Sequence, residues 1–296
     1  MQKILVTGAN GFVGYYTIRQ LLKKNYMVIA TGKGACRLPF KEDNFIWETL
    51  DFTDEEQVRS VFSKHQPEVV IHSGAMSKPD ECELHKEAAY QTNVTGTIHL
   101  LKAAAFMQSF FIFLSTDFVF DGIKGMYRED DELAPVNYYG ETKKLAEEAV
   151  RNYTFDWSII RTVLVYGKPL QGRENILTGN AKALQRGERL KIFSDQLRTP
   201  TYVEDLAAAI VSIIENKAKG IFHISGEDRL SPYGMVMAMA RHLQLDTSLV
   251  QAVTENEFDQ PARRPLITGF DISKAKNLLQ YRPTSFEQGL RKTFNV

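Results

Sequence analysis

Cysteine is nearly absent. The two in the chain of 296 residues, Cys36 and Cys82, form neither a CxxC nor a metal-ligand cluster, so a disulfide scaffold is excluded and free thiols in a reducing compartment are expected. An excess of charge of one sign is missing as well. Lys+Arg and Asp+Glu each total 36, which leaves no net field to draw the chain to nucleic acid or to an anionic membrane, and a small-molecule partner fits that balance. No apolar run approaches the length of a membrane span. The first residues enter an apolar strand, Lys3-Ile4-Leu5-Val6-Thr7, without a basic n-region, a long h-region or a small-residue cleavage site. A cytoplasmic protein is the expectation. The six histidines, at 65, 72, 85, 99, 223 and 242, lack ligand spacing, so no metal is expected, and the run Glu129-Asp130-Asp131-Glu132 reads as a solvated loop.

What is there is a regular alternation. Short β-branched runs at Ile4-Thr7, Met27-Thr31, Phe45-Leu50, Val69-His72, Phe110-Ser115 and Trp157-Arg161 are separated by amphipathic stretches at Val13-Lys24, Glu55-His65, Ala88-Phe106 and Tyr139-Asn152. This pattern builds an α/β fold, a doubly wound parallel sheet with helices on both faces. Asp54 is placed to N-cap the second helix. After Arg161 the pattern loosens into a Gly- and Pro-rich loop over Tyr166-Arg173, a helix Asn175-Arg186 and a strand Leu190-Phe193. Val203-Glu215 and Ile221-Ile224 return to the sheet, while Pro232-His242 and Ser273-Arg291 complete a smaller C-terminal lobe. The expected division is a dinucleotide-binding domain over 1–163 joined by 203–224, and a substrate-binding lobe over 164–202 and 225–296. No repeat, low-complexity tract or linker separates the two.

Directly after the first strand comes Gly8-Ala9-Asn10-Gly11-Phe12-Val13-Gly14, a GxxGxxG loop that opens a helix. Glycine permits the tight turn and lets backbone approach a pyrophosphate, whose charge rests on the helix N-terminus. A Rossmann-type cofactor domain follows from that position, with Gly8, Asn10, Gly11, Phe12, Val13 and Gly14 as the binding loop. The second strand ends in Ala30-Thr31-Gly32-Lys33-Gly34-Ala35-Cys36-Arg37, which lacks the acid that would hold a ribose 2′-hydroxyl. Lys33 and Arg37 either meet a 2′-phosphate or are solvated surface charges. NADP is therefore preferred over NAD. Asp51, followed by Phe52, either contacts the adenine or caps the next helix. Gly74-Ala75, beyond the fourth strand, would let the chain pass close to the ribose and nicotinamide.

Ligands in open α/β sheets bind outside the carboxyl ends of the strands, and the fifth strand runs out there into Ser115 and Thr116. Tyr139 and Lys143 are four apart on a helix, so they share a face. An ammonium near a phenol favours the phenolate, which would lower the tyrosine pKa toward the working range, and the Thr116 hydroxyl could hold the same carbonyl oxygen. Thr116, Tyr139 and Lys143 together supply what carbonyl reduction needs beside a hydride donor. Singly, each is as readily a turn residue or a solvated helix face.

Over essentially its whole length the chain resembles the extended short-chain dehydrogenase/reductase family, and within it the dTDP-4-dehydrorhamnose reductases. The resemblance rests on Thr7-Gly14, Asn93-Val94-Thr95-Gly96-Thr97, Ser115-Thr116-Asp117-Phe118-Val119-Phe120-Asp121-Gly122, Pro135-Val136-Asn137-Tyr138-Tyr139-Gly140 with Lys143, Asp195-Gln196, Pro200-Leu206, and Arg264-Pro265 with Asp271 and Lys274. It implies hydride transfer to the 4-keto group of a nucleotide-linked deoxysugar. It implies Asn93, Ser115, Tyr139 and Lys143 at the cofactor, and Thr116, Asp117, Phe118, Arg161, Leu164 and Arg198 at the substrate. A nucleotide-sugar is thus the expected partner, with the assembly left open between monomer and homodimer. Two positions depart from the reductase pattern: Leu164 replaces a tryptophan, and Arg198 replaces a small residue. An arginine at that loop resembles the epimerases, in which it grips the diphosphate; otherwise it is a surface ion pair. Phe118 stands where a dehydratase carries its acid, so dehydration is disfavoured. An epimerase of the same family and a non-catalytic NADP-binding subunit, like that of methionine adenosyltransferase, remain as alternatives.

Overall fold

The computed structural model describes residues 1–169, 174–257 and 260–294. The first half runs β1 (Lys3–Thr7), α1 (Phe12–Lys23), β2 (Met27–Gly32), β3 (Phe45–Thr49), α2 (Glu55–His65), β4 (Val69–His72), α3 (Pro79–Leu84), α4 (Lys86–Tyr90), α5 (Gly96–Met107), β5 (Phe110–Thr116), α6 (Tyr138–Arg151) and β6 (Trp157–Thr162). The second half adds β7 (Val165–Tyr166), α7 (Ile176–Gln185), β8 (Leu190–Phe193), β9 (Thr201–Tyr202), α8 (Val203–Glu215), β10 (Gly220–Ile224), α9 (Pro232–His242), β11 (Val250–Val253), α10 (Ser273–Leu279) and α11 (Phe286–Phe294).

Seven strands form one parallel sheet in the order β10-β6-β5-β4-β1-β2-β3. Its strands are apolar on both faces because helices cover both. Alternation along each strand divides the core in two: Ile4, Val6 and Ile112 pack with Ile18, Leu21, Leu206 and Ile210 of α1 and α8, whereas Leu5, Phe111 and Phe113 pack with Val58, Phe62, Leu100 and Ala146 of α2, α5 and α6. Chain order reverses between β1 and β4, so the crevice at their carboxyl ends is the topological switch point where such sheets take ligands.

A third cluster, including Tyr166, Leu177, Tyr202, Met235, Met239, Val250, Phe286 and Leu290, builds the lobe around the parallel pair β8 and β11, registered Leu190 to Val250. The chain alternates between the two bodies. It leaves the sheet after β6, returns for α8 and β10, leaves again for α9 and β11, returns with α10, and leaves a last time in α11. Ile272, Ala275 and Leu279 of the α10 segment belong to the first sheet core, so this stretch, expected in the lobe, packs on the main sheet.

Two expected helices are broken. The span Ala88-Phe106 is α4, a π turn over Gln91–Thr95, then α5. The span Ser273-Arg291 stops at Leu279, where Gln280 turns left-handed (φ 54°), and Pro283 keeps the residue before it out of helical geometry. The loop expected over Tyr166-Arg173 is described only to Pro169; Leu170, Gln171, Gly172 and Arg173 lie outside the described residues. Among the described residues no helix is long and apolar enough to cross a membrane.

Candidate active site

The glycine loop sits at the β1 end of the crevice. Gly8 has φ +68°, and a Cβ there would lie 2.8 Å from the Gly74 nitrogen, so this turn and the end of β4 can touch only through glycine. The Gly11 N–H donates to Gly8 O at 2.8 Å, and a Cβ on Gly14 would fall 2.4 Å from that same oxygen. Helix α1 follows its N-cap Gly11 with no side-chain cap and no acid in its first turn; α5 and α10 also lack both, but here the start adjoins the glycine turn. The amides at Phe12 and Val13 are left to an anion. A cavity of about 180 Å³ opens beside them, lined in part by Asn10, Phe12, Tyr15 and Arg37. Glycine cradle, uncapped helix and the Ser115 hydroxyl, buried without a hydrogen-bond partner among the described residues, all fit a dinucleotide.

Several side chains expected at the cofactor are spent on the protein itself. Asn10 accepts from the Arg37 N–H (2.9 Å) and donates to Ala35 O (3.0 Å), which pins the β2–β3 loop. Lys33 pairs with Asp51 at 2.8 Å, so its charge is already offset in this structure. Asp51 does not cap α2; it accepts from the Thr53 amide and hydroxyl, and Asp54 takes the cap. Arg37 is exposed, with no carboxylate partner among the described residues. Phe52 lies beneath the crossing, its ring 2.6 Å from where a Gly74 Cβ would stand, and the next residue, Ala75, is half-buried. Asn93, expected at the cofactor, is buried and turned inward: it accepts from the Met76 N–H (2.8 Å) and donates to Met76 O and Thr142 Oγ1 (both 3.0 Å). It fastens the loop after β4 to α6.

The three residues expected to carry the chemistry converge. Thr116 ends β5, and α6 begins against it because Asn137 accepts from the Gly140 N–H (2.9 Å) and Gly140 lies so close to Phe118 that a Cβ would be 2.1 Å from the Phe118 carbonyl oxygen. That approach brings the Tyr139 phenol beside the Thr116 hydroxyl and its ring edge-on to Phe118, centroids 5.8 Å apart. Burial raises the Tyr139 pKa, the Thr116 hydroxyl pulling the other way. Lys143, one turn on, donates to Leu114 O at 2.7 Å and lies 3.9 Å from the Phe113 ring centroid. Burial pushes it down to about 7, with Glu147 opposing. The expected lowering of the tyrosine by the lysine is therefore corrected: the ammonium is turned to a backbone carbonyl, and burial governs both groups.

The remaining expected substrate ligands divide. Phe118 is half-buried beside Tyr139, and Leu164, at φ +33°, packs against both the first sheet core and the lobe. Arg161 is 0% exposed and forks onto Glu147 (2.9 and 2.7 Å), with Nη1 also donating to Glu129 O. That removes it from the substrate site. Asp117 is buried, accepts from Thr116 Oγ1 at 3.2 Å and from Thr268, and faces Arg198 at 3.8 Å. Both charges serve the interior. Sequence reasoning missed Glu147, though it continues the stripe of Tyr139 and Lys143 at four-residue steps; Thr142 and Thr268 carried no signal at all. A larger cavity, about 600 Å³, lies away from this site and is lined by Lys124, Arg128, Asp131, Asp271 and Lys276 among others; its cations are paired with Asp131, Asp271 and Glu227.

A family model described as the RmlD substrate binding domain matches residues 1–296. The chain belongs to that family. This RmlD-type chain is 33% identical over 294 residues to the spore coat polysaccharide biosynthesis protein SpsK of Bacillus subtilis (strain 168), covering 99% of this chain and 96% of that protein. It is 30% identical over 298 residues to methionine adenosyltransferase 2 subunit beta of Pongo abelii, covering 99% and 87%. Among solved structures it resembles dTDP-4-dehydrorhamnose reductase from Bacillus anthracis str. Ames in complex with NADP, with a TM-score of 0.85, 25% identity and coverage of 100% and 99%. Sugar-nucleotide epimerases share the fold at 21–24% identity.

Proposed function

We propose that the chain is an NADPH-dependent reductase of the 4-keto group of a nucleotide-linked deoxysugar. The observation that carries this reading is the convergence of Thr116, Tyr139 and Lys143 at the carboxyl end of β5, across the switch-point crevice from the glycine loop. The loop and the uncapped start of α1 would hold the pyrophosphate, and Arg37 would meet a 2′-phosphate, which favours NADP over NAD. A bound dinucleotide supplies the hydride. Tyr139 holds its proton at neutral pH because burial raises its pKa, and it delivers that proton to the carbonyl oxygen as charge develops there. Thr116, beside the phenol, would orient the carbonyl. Lys143 stands one turn behind, its ammonium held by Leu114 O and its pKa lowered by burial to about 7, so its charge state changes within the working range.

The test is oxidation of NADPH with a panel of dTDP-, GDP- and UDP-4-keto sugars. Stoichiometric consumption with one of them is expected, and Tyr139→Phe is expected to lower kcat by about 10²–10⁴-fold. Absence of turnover with every sugar, cofactor bound, overturns the reductase reading. Similarity to the methionine adenosyltransferase subunit supports a second reading, a non-catalytic NADP-binding subunit. Under that reading Tyr139→Phe changes no activity.

A further inference from the structure

A guanidinium has five N–H donors in a fixed fork, and those of Arg198 all face the protein. Nη1 donates to the carbonyls of Leu197 and Leu266 (2.9 and 2.8 Å), Nη2 to Pro265 O (2.6 Å) and Gln196 Oε1 (3.2 Å), and Nε faces Asp117 Oδ2 at 3.8 Å. The side chain is 3% exposed. Four donors are taken by the protein and the fifth faces a carboxylate, an arrangement that disfavours a diphosphate.

These contacts lead into the catalytic trio. Asp117 Oδ1 accepts from Thr116 Oγ1, and its other oxygen accepts from Thr268; Tyr139 stands beside Thr116, its ring edge-on to Phe118. The carbonyls of residues 265 and 266 belong to a segment that Arg264 also fastens, through a fork onto Asp80 of α3 (2.5 and 2.7 Å). We propose that Arg198 is a positioning residue: it keeps Asp117 an acceptor, thereby fixing the Thr116 hydroxyl, and it ties segment 262–268 across the catalytic end of the sheet.

The physical argument is about hydrogen-bond direction. An ionised carboxylate only accepts, so with Arg198 beside it both threonines must donate, and the Thr116 oxygen is left as the acceptor of the Phe118 N–H (3.3 Å). Burial pushes the Asp117 pKa up and Arg198 pulls it back. The charged and titratable neighbours are Arg198, Tyr139 and, beyond the arginine, Arg264 and Asp195. With the arginine neutralised, Asp117 takes a proton, becomes a donor to Thr116, and the direction of the Thr116 hydroxyl beside Tyr139 is no longer fixed.

The inference rests on the reductase reading for its kinetic arm, and hydrogen exchange tests it separately. Arg198→Gln is expected to lower kcat on the order of 10²-fold through misplacement, while the dissociation constant of dTDP changes less than about twofold, as for a group outside ground-state binding. Its kcat profile gains an acid limb that the Arg198→Gln/Asp117→Asn double variant lacks. Amides of residues 266–268 exchange faster than in the wild type. Arg198→Lys keeps the charge but not the fork, so it shows the faster exchange without the new acid limb, and it carries the test if the glutamine variant does not fold. Weakening of dTDP binding by about tenfold, the worth of one charged hydrogen bond, with kcat and exchange at 266–268 unchanged, makes Arg198 a diphosphate ligand and overturns the proposal. If the wild type turns over no sugar, the reductase reading fails, and unchanged exchange at 266–268 in both variants overturns the positioning role on its own.

Discussion

Lys143 is held by a backbone carbonyl and an aromatic face rather than by a carboxylate, and its stability contribution therefore depends on pH in an unusual direction. Its folded pKa, about 7, lies below its ordinary 10.5. Between those values the unfolded chain binds more protons, so this residue's contribution to stability rises with pH across that window. Below pH 7 both states are protonated and the cost of the buried charge is fully present. Lys143→Met is expected to raise the Tm of the cofactor-free protein most below pH 7, with the gain shrinking as pH approaches 10.5. A gain independent of pH over this range would contradict the lowered pKa. The positions of Thr116, Tyr139 and Lys143 were legible in sequence because strand end and helix spacing fix them. The direction of their pKa shifts was not, since it depends on burial. Arg161 and Arg198 were misread for a related reason. An arginine near a strand end has the same local sequence whether it meets a ligand or a buried carboxylate brought from elsewhere.

Helix α6 holds the site by one stripe. Tyr139, Lys143 and Glu147 repeat every four residues, and Glu147, fully buried, is gripped by Arg161 from β6. Replacing Glu147 with alanine strands the Arg161 charge and is expected to cost about 3–5 kcal/mol. The double change Glu147→Leu with Arg161→Met should recover most of that loss in urea unfolding, since a buried pair swapped for apolar groups is often neutral. Equal losses in single and double variants would argue that packing, not the stranded charge, sets the cost. Elements with a visible boundary residue were read to their ends: Asp54 caps α2, and β4 spans Val69–His72 as expected. The π turn at Gln91–Thr95 escaped because an inserted residue shifts the helical phase without leaving a Gly or Pro marker. Its product is structural, for it turns Asn93 into the loop after β4 while α5 presents Leu100 and Ala104 to the core.

The two bodies of the molecule differ in how their strands are secured. The large sheet has five strands paired on both sides, whereas β8 and β11 pair only with each other and depend on α7 and α9 for cover. Two strands alone are marginal. Native-state hydrogen exchange should therefore find β8 and β11 opening at lower free energy than β1, β4 and β5; equal protection would mean that the lobe and the sheet unfold as one unit. The α/β architecture and the switch-point crevice were legible from alternation alone, because apolar runs of strand length mark a covered parallel sheet. The return of α10 to that sheet was not, since its apolar positions suit either body. The repeated passage of the chain between the bodies has a consequence for redesign: neither can be cut out or exchanged as one continuous cassette. A new ligand preference must come from altering side chains in place, at positions such as Leu164 where the two bodies meet.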